Sequence, residues 1–169
     1  MNSDELRALQ APLKDKYKSD ASAALITLKA RGSIDDQKIA CNLETGRAIA
    51  AAGLHPLSGG SGLELCSGDM MLEALVACAG VTLKAVATAI DVPLRSATVY
   101  AEGDLDFRGT LGVEKSAPVG FQAIRLRFEI DSDAPPDKIA QLLKLTERYC
   151  VVYQTLANPP ALDVKVTTA

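Results

Sequence analysis

The chain has 169 residues, of which 48% are hydrophobic and 23% charged, and this composition is typical of a soluble globular protein with a sizeable core. The net charge of −3 at pH 7 argues against nucleic acid as the main partner, because that function needs a basic face that neutralises phosphates. Trp is absent and aromatic residues make up 4% of the chain, which also argues against base stacking.

The first fifty residues predict a helix followed by short strands. Ser3 is a good N-cap for a helical extension at about residues 1–20, and Pro12 is expected to kink or split this helix. Apolar and polar residues alternate over 24–31, and a returning strand is predicted over 38–43, with a weaker third strand over 47–52. The polar N-terminus has no apolar signal-peptide region, and we therefore expect a cytoplasmic protein.

A glycine-rich loop over 53–62 leads into a long apolar helix. Ser67 is its predicted N-cap, and the helix is expected to run to about Ile90. Its apolar residues occur nearly all round, which predicts a position in the middle of the structure. Glu73 interrupts its most apolar run, so no stretch is expected to reach the roughly 18 to 20 apolar residues of a membrane span.

The second half predicts a hairpin of strands 96–102 and 105–111, a clear strand over 120–130, a helix from Pro136 to about Asn158, and a last strand over 162–168. Because the strands come in hairpins, the fold class is α+β with antiparallel sheets. No linker separates domains, and we expect a single domain over residues 1–169.

Two of the four cysteines lie on separate apolar helical stretches. Cys78 is in the long central helix, and Cys150 lies on the predicted buried stripe of the later helix. If the fold brings them together, they form a nucleophile and a resolving thiol: a thiolate attacks a peroxide, becomes a sulfenic acid, and condenses with the second thiol. The alternative is structural, because free cysteine often behaves as a small buried hydrophobe.

Three segments carry a resemblance to a known family. The segment 69–78, DMMLEALVAC, resembles the E-L-L-L-A-A-L-x-A-C element of the OsmC/Ohr family, the osmotically inducible protein C and organic hydroperoxide resistance proteins. The segment 102–112, EGDLDFRGTLG, is similar to one OsmC-like branch when taken with the Gly120-Phe121 strand. The segment 148–156, RYCVVYQTL, resembles the C-P-V-x-x-x-L element.

The resemblance implies an OsmC-like fold, with antiparallel sheets around a long central helix, in an intertwined homodimer with active sites at the subunit interface. It also implies a thiol-dependent peroxidase that reduces organic hydroperoxides in oxidative-stress defence. Cys78 would be the peroxidatic thiolate and Cys150 the resolving thiol. Asp69 would hold the thiolate together with an arginine. No cofactor is bound, and a lipoyl-type dithiol would be the reductant.

The chain also departs from the family pattern. Asp69 replaces the usual glutamate, Val151 stands where proline is common, and the 53–62 loop contains no arginine. The candidate activating cations are therefore Arg31, Arg47 and His55.

Two alternative functions remain beside the peroxidase, and the roles of Cys41 and Cys66 also have to be interpreted. One alternative is a non-catalytic OsmC-like protein that binds an apolar small molecule between its helices. The other is a metal site made by Cys41, His55, Cys66 and Cys78, although this spacing fits no zinc pattern. Cys41 is expected in the core, and Cys66 is interpreted as incidental.

Overall fold

Four antiparallel strands form a sheet in the order β2–β1–β3–β4. The computed structural model describes residues 3–34, 41–43, 52–63 and 65–168. The strands are β1 (Leu25–Ile34), β2 (Cys41–Leu43), β3 (Ser96–Asp106) and β4 (Ala123–Asp131). Long registers join β3 to both of its neighbours, with Ala101 opposite Ala30 on one side and opposite Leu126 on the other. The predicted α+β class with antiparallel pairing is confirmed.

The long helix α2 (Ser67–Ala89) packs against β1 and β3. Its buried face includes Leu72, Leu75, Val76 and Leu83, each with at most 1% of its surface exposed. Val99 of β3 meets this face from the sheet. The apolar stripe of α2 therefore forms the centre of the core, as the sequence predicts, while Cys66 instead of Ser67 occupies the N-cap position.

Within the described ranges, α2 is long and apolar enough to cross a bilayer, contrary to the sequence expectation. That expectation failed because Glu73 alone does not outweigh the many Leu, Val and Ala residues around it. The criterion is weak evidence of a membrane span, because the core helix of a globular protein meets it as well. Packing of α2 on the sheet and on a later helix matches that second case.

Pro12 is expected to kink or split the N-terminal helix. The helix α1 (Ser3–Ser19) continues through Pro12, so the split is wrong, while the kink stays a prediction. Contacts on both sides of the proline hold it in place. The Gln10 side chain donates to the carbonyl of Ser58 at 3.2 Å, and the buried Tyr17 hydroxyl donates to the carbonyl of Leu57 at 2.6 Å. These tertiary contacts offset the loss of the backbone hydrogen bond that proline cannot donate.

The predicted hairpin over 96–111 is also wrong, because β3 runs without a break to Asp106. Pairing with β1 extends along β3 from Thr98 to Asp106, and pairing with β4 extends from Ser96 to Asp104, so an extended chain is held on both edges. The short helix α3 (Phe107–Thr110) follows, and the Asp106 carboxylate accepts from the N–H of Arg108 as its cap.

The C-terminal region differs from prediction in two places. The expected helix from Pro136 is two helices, α4 (Pro136–Tyr149) and α5 (Val151–Ala157), separated by Cys150 in an extended conformation. Residues 162–168 form no strand and are exposed, because no strand of the described chain lies beside them. The predicted strand over 47–52 falls outside the described residues except for Ala52, which bridges Leu65.

Candidate active site

Cys78 and Cys150 meet where α2 crosses the junction between α4 and α5. Cys78 is half-buried on α2, and Cys150 has 1% of its surface exposed. Both pack in one core cluster with Val152 and Tyr153 of α5. Both cysteines are free thiols. The structure therefore brings together the two cysteines that the sequence singled out.

The break at Cys150 determines which backbone donors face this point. The first N–H groups of a helix have no acceptor within that helix. In α5 the N–H of Gln154 donates to the carbonyl of Cys150 at 2.9 Å, and the N–H of Tyr153 donates to the Cys150 sulfur at 3.5 Å. The N–H groups of Val151 and Val152 lie at the start of α5 and lower the pKa of the Cys78 thiol.

These donors lower the pKa of Cys78. Burial raises the pKa of the Cys78 thiol, but hydrogen bonds from the N–H of Val152, the Cys150 thiol, the N–H of Val151 and the Thr82 hydroxyl together bring the pKa below its ordinary value. None of these four donors is a cation. A lowered pKa enlarges the thiolate fraction, and the thiolate is the nucleophilic form of cysteine.

Cys150 shows the opposite shift. Burial raises the pKa of its thiol to about 11, and the neighbouring Cys78 raises it as well, against the opposing effect of the Tyr153 N–H. Cys150 is therefore the neutral donor of the pair and Cys78 the acceptor. This asymmetry agrees with the roles that the resemblance implies for the two residues.

Asp69 does not reach Cys78 within the chain. Nine residues of helix separate them, which corresponds to a rise of roughly 13 Å along the axis. Burial raises the pKa of Asp69, while the charge of His55 lowers it, so the carboxyl interacts with the loop before α2. Asp69 also raises the pKa of Glu73, after the larger effect of burial.

The candidate cations are placed away from the thiol pair. His55 stacks on Phe107 with ring centroids 5.0 Å apart, its Nδ1 accepts from the N–H of Leu57 at 3.0 Å, and burial lowers its pKa. Arg31 lies over the ring of Tyr100, 5.9 Å from its centroid, on the exposed face of the sheet. Arg47 lies outside the described residues.

A cavity of about 890 Å³ opens beside the thiol pair. His55 and Cys66 lie at one end of it, and most of its wall is apolar, including Leu75, Leu105, Phe107, Phe121, Ile124, Leu126 and Leu156. Cys78 and Cys150 do not line the cavity, although Leu75 and Tyr153 belong both to its wall and to the cluster around them. The cavity therefore adjoins the thiols through a layer of side chains.

Gly103 shapes one wall of this cavity. A Cβ atom at this position of β3 would lie 2.4 Å from Cε1 of Phe121. The absence of a side chain lets the Phe121 ring lie directly on the strand. The segment 119–123 is thereby held against the cavity, which the sequence alone did not predict.

Cys66 does not join the pair. Cys66 is half-buried at the start of α2, and the backbone of Cys41 pairs with Ile34 in the sheet. Among the residues with described side chains, no group of three or more His, Cys, Asp or Glu is placed to hold a metal ion. The side chain of Cys41 lies outside that description.

Sequence reasoning missed two groups of donors to Cys78. Thr82 follows Cys78 by four residues on α2, a spacing that puts both side chains on one helix face and could have been read from the sequence. The N–H groups of Val151 and Val152 could not have been found in this way, because they depend on the break at Cys150.

The comparisons with known proteins agree on one family. The family model described as OsmC-like protein matches residues 60–165, which is more than half of the chain. The fold is similar to an OsmC-like hydroperoxide resistance protein from Jannaschia sp. CCS1, with a TM-score of 0.61, 15% identity, and coverage of 86% of this chain and 95% of that one. It is also similar to an OsmC-like protein from Mycoplasma pneumoniae, with a TM-score of 0.55, 14% identity, and coverage of 80% and 86%. No curated protein matches the sequence.

Proposed function

This chain belongs to the family of OsmC-like proteins, and from that premise we propose that it is a thiol-dependent peroxidase that reduces organic hydroperoxides. Cys78 is the attacking thiolate and Cys150 the resolving thiol. The observation that carries the proposal is the packing of Cys78 against the cluster that contains Cys150. The opposite directions of their pKa shifts agree with it, because Cys150 is a hydrogen-bonding partner that lowers the pKa of Cys78.

Reduction of one hydroperoxide needs two electrons, which the two thiols supply when they form a disulfide. The Cys78 thiolate attacks one oxygen of the hydroperoxide, the O–O bond breaks, and the products are a sulfenic acid on Cys78 and an alcohol. The Cys150 sulfur then attacks the sulfur of the sulfenic acid and releases water, which leaves a Cys78–Cys150 disulfide. A dithiol reductant, for which a lipoyl-type compound is our proposal, restores both thiols by disulfide exchange.

The adjoining cavity favours an organic hydroperoxide over hydrogen peroxide. Its apolar wall stabilises an alkyl or aryl group by burying it, and hydrogen peroxide has no such group. Access to Cys78 requires a shift of the side chains that separate it from the cavity. Leu75 and Tyr153 are two of the residues that belong both to the cavity wall and to the cluster around the cysteines.

We also propose that the enzyme is a cytoplasmic homodimer. Free thiols suit a reducing compartment, and exposed apolar side chains on α2, including Met70, Met71 and Val81, suit a subunit interface. The proposed dimer also determines whether Asp69 can act on the Cys78 thiolate. Since the helix separates Asp69 from Cys78 in one chain, a direct role of Asp69 at the thiolate requires it to come from the partner subunit.

The cavity supports a second candidate function, the binding of an apolar small molecule without catalysis. The observation in its favour is that Cys78 and Cys150 lie outside the cavity wall, so a ligand can fill the cavity without contacting either sulfur. The two candidates differ in what they require of Cys78.

The test is turnover of cumene hydroperoxide with dihydrolipoate by the wild type, Cys78→Ser and Cys150→Ser. We expect Cys78→Ser to abolish turnover and Cys150→Ser to stop recycling after one equivalent of peroxide. Mass spectrometry of the wild type after one equivalent should show a Cys78–Cys150 disulfide. Cys66→Ser is the matched control for the loss of a thiol, and its Cys78–Cys150 pair should still be oxidised by the peroxide and reduced again by dihydrolipoate.

An inert wild type whose two thiols both survive a stoichiometric dose of hydroperoxide would contradict the peroxidase and favour the binding protein. Saturable binding of a fluorescent fatty acid, unchanged by Cys78→Ser, would then identify the second function. Full turnover by Cys78→Ser would exclude the proposed nucleophile directly.

A further inference from the structure

The peroxide-cleaving step needs a proton that the nucleophile cannot supply. When a thiolate breaks the O–O bond of an alkyl hydroperoxide, the bonding electrons leave with the distal oxygen as an alkoxide. An alkoxide is a strong base, and a positioned acid that protonates it during bond breaking lowers the barrier. Cys78 reacts as the thiolate and has already lost its own proton.

Cys78 packs against the core cluster that contains Cys150, and four groups around the Cys78 sulfur lower the pKa of its thiol by hydrogen bonding. These four groups differ in acidity. Two are the backbone N–H groups of Val151 and Val152, one is the hydroxyl of Thr82, and one is the thiol of Cys150. Among these groups the thiol is by far the strongest acid. Cys150 is also almost fully buried, with 1% of its surface exposed, so it is shielded from water as a competing donor or acceptor.

On the proposed peroxidase function, we infer that Cys150 is the general acid of the peroxide-cleaving step and becomes the resolving nucleophile by giving up that proton. The Cys78 thiolate bonds to one peroxide oxygen, the O–O bond breaks, and the proton of the Cys150 thiol passes to the departing alkoxide. The products are the sulfenic acid on Cys78, the alcohol, and a thiolate on Cys150.

The second half-step balances the first. The Cys150 thiolate attacks the sulfur of the Cys78 sulfenic acid, the S–O bond breaks, and hydroxide leaves. Hydroxide takes up the proton that Cys78 released when it first ionised, which gives water. Two sulfurs lose one electron each, and the hydroperoxide gains both. Because Cys150 gives up its proton in the first step, it is a thiolate when the second step needs one.

The electrostatics of the pair fit this order of events. Burial and the adjacent Cys78 raise the pKa of Cys150, which keeps it protonated until the peroxide arrives. Conversion of Cys78 to a neutral sulfenic acid removes the neighbouring negative charge and so eases ionisation of Cys150. Cys78 packs against the cluster that contains Cys150, and Cys150 is a hydrogen-bonding partner of Cys78, so the transferable proton lies beside the sulfur where the peroxide reacts.

The experiment compares two oxidants in single turnovers, with loss of the Cys78 thiol followed by quenched flow and mass spectrometry. The leaving group from cumene hydroperoxide is an alkoxide, which needs a proton. The leaving group from peracetic acid is acetate, a weak base that needs none. In Cys150→Ala we expect the rate constant for cumene hydroperoxide to fall about 100-fold or more through loss of the acid. The rate constant for peracetic acid should fall about tenfold at most, through loss of one hydrogen bond to the thiolate.

Two further variants separate acidity from hydrogen bonding. Cys150→Ser keeps a donor but replaces the thiol by a far weaker acid. The rate constant for cumene hydroperoxide divided by that for peracetic acid should therefore be as low in Cys150→Ser as in Cys150→Ala. Thr82→Val removes a donor without removing the acid, so both rate constants should fall by the same factor. Circular dichroism confirms that each variant is folded.

An equal ratio of the two rate constants in the wild type, Cys150→Ala and Cys150→Ser would overturn the inference and leave the peroxidase standing. A ratio that falls in Thr82→Val as far as in Cys150→Ala would assign the proton to Thr82 and overturn it as well. A wild-type Cys78 that cumene hydroperoxide does not oxidise would contradict the peroxidase function itself, and this step with it.

Discussion

Thr82 follows Cys78 by one helical turn on α2, and its hydroxyl is one of the groups that lower the pKa of the Cys78 thiol. Other helical threonines of this chain satisfy their hydroxyls differently. Thr88 donates to the carbonyl of Lys84 at 2.9 Å, and Thr146 donates to that of Leu142 at 2.9 Å, each four residues back. Thr82 has the same spacing to Cys78, but its hydroxyl acts on the thiol of that residue. The thiolate form of Cys78 is therefore favoured by a group on its own helix as well as by groups on α5.

Thr82→Val should make Cys78 a weaker nucleophile at neutral pH. Loss of the hydroxyl removes a donor to the thiolate, so the pKa of Cys78 should rise and its alkylation by iodoacetamide at pH 7 should slow by about threefold. Peptide-resolved mass spectrometry measures the rate at Cys78 apart from the other cysteines. Thr82→Ser keeps the hydroxyl and is the control. Equal rates for Val and Ser at this position would exclude a role for the hydroxyl.

Val151→Pro tests the backbone donor with little structural disturbance. Proline is favoured at the first position of a helix, and Cys150 before it already has φ −71° and ψ 107°, a conformation that the residue before proline adopts readily. The substitution removes one N–H, so the pKa of Cys78 should rise and its alkylation at pH 7 should slow by several-fold, up to about tenfold.

Val151→Ala is the matched control, because it keeps the N–H and truncates a side chain that is already 69% exposed. The melting temperature of both variants should stay close to that of the wild type. Alkylation that slows equally in both would show that the Val151 side chain, and not its N–H, controls the reactivity of Cys78.

The sequence predicted the parts of the site that follow a local period. The alternation over 124–130 predicted β4, and the spacing of Leu142, Thr146 and Cys150 predicted a buried stripe, each now with at most 1% of its surface exposed. The break after Cys150 was not predicted, because Val151 and Val152 can continue a helix and only packing against α2 distinguishes the two cases. The cavity depends on segments 53–55 and 119–123 meeting, which no local pattern encodes.

Asp106→Asn should destabilise the fold and change its dependence on pH. The Asp106 carboxylate has 1% of its surface exposed and accepts from Nη2 of Arg108 at 2.5 Å. Hydrogen bonds from Arg108 hold the pKa of Asp106 below its ordinary value of 3.8, despite burial. Its stabilising effect is therefore present above about pH 4 and is lost as the pH falls through the lower folded pKa.

At pH 7 we expect the variant to lose about 2 kcal/mol of unfolding free energy, or roughly 6 °C in melting temperature for a domain of this size. Thermal unfolding followed by circular dichroism from pH 7 to pH 2 measures both effects. The difference between wild type and variant should shrink below about pH 4. Asp163→Asn, at an exposed ion pair with Lys165, should leave the curve unchanged. A constant difference down to pH 2 would show that the charge of Asp106 is not what stabilises the fold.

Phe121→Ala should weaken the reaction with organic substrates selectively. The ring forms part of the cavity wall and packs against the cluster that contains both cysteines. Its removal takes apolar contact from a bound aryl group, so kcat/KM for cumene hydroperoxide should fall about tenfold, while kcat/KM for hydrogen peroxide should stay constant. Tyr149→Ala removes an exposed aromatic outside the cavity and is the control. Equal losses for both peroxides would mean that the cavity does not hold the organic group.

Charged substitutions in the C-terminal segment should dissociate the proposed homodimer. Leu162, Val164 and Val166 alternate along residues 162–168 and are 90%, 86% and 84% exposed, a pattern typical of a strand that has no partner in the described chain. Pairing with a second copy would cover this edge, and a charge at each of two such positions would then be buried without a partner.

We therefore expect the double variant Val164→Asp/Val166→Asp to raise the dimer dissociation constant at least about 100-fold. Light scattering after size exclusion should show the mass falling from twice 17.8 kDa to 17.8 kDa. Thr167→Asp places the same charge on the opposite face of the segment and should remain dimeric. A wild type that is monomeric at micromolar concentration, or a double variant that stays dimeric, would contradict the role of this segment. If the dimer also supplies Asp69 to the partner's thiolate, dissociation should slow oxidation of Cys78 without altering the fold of the single chain.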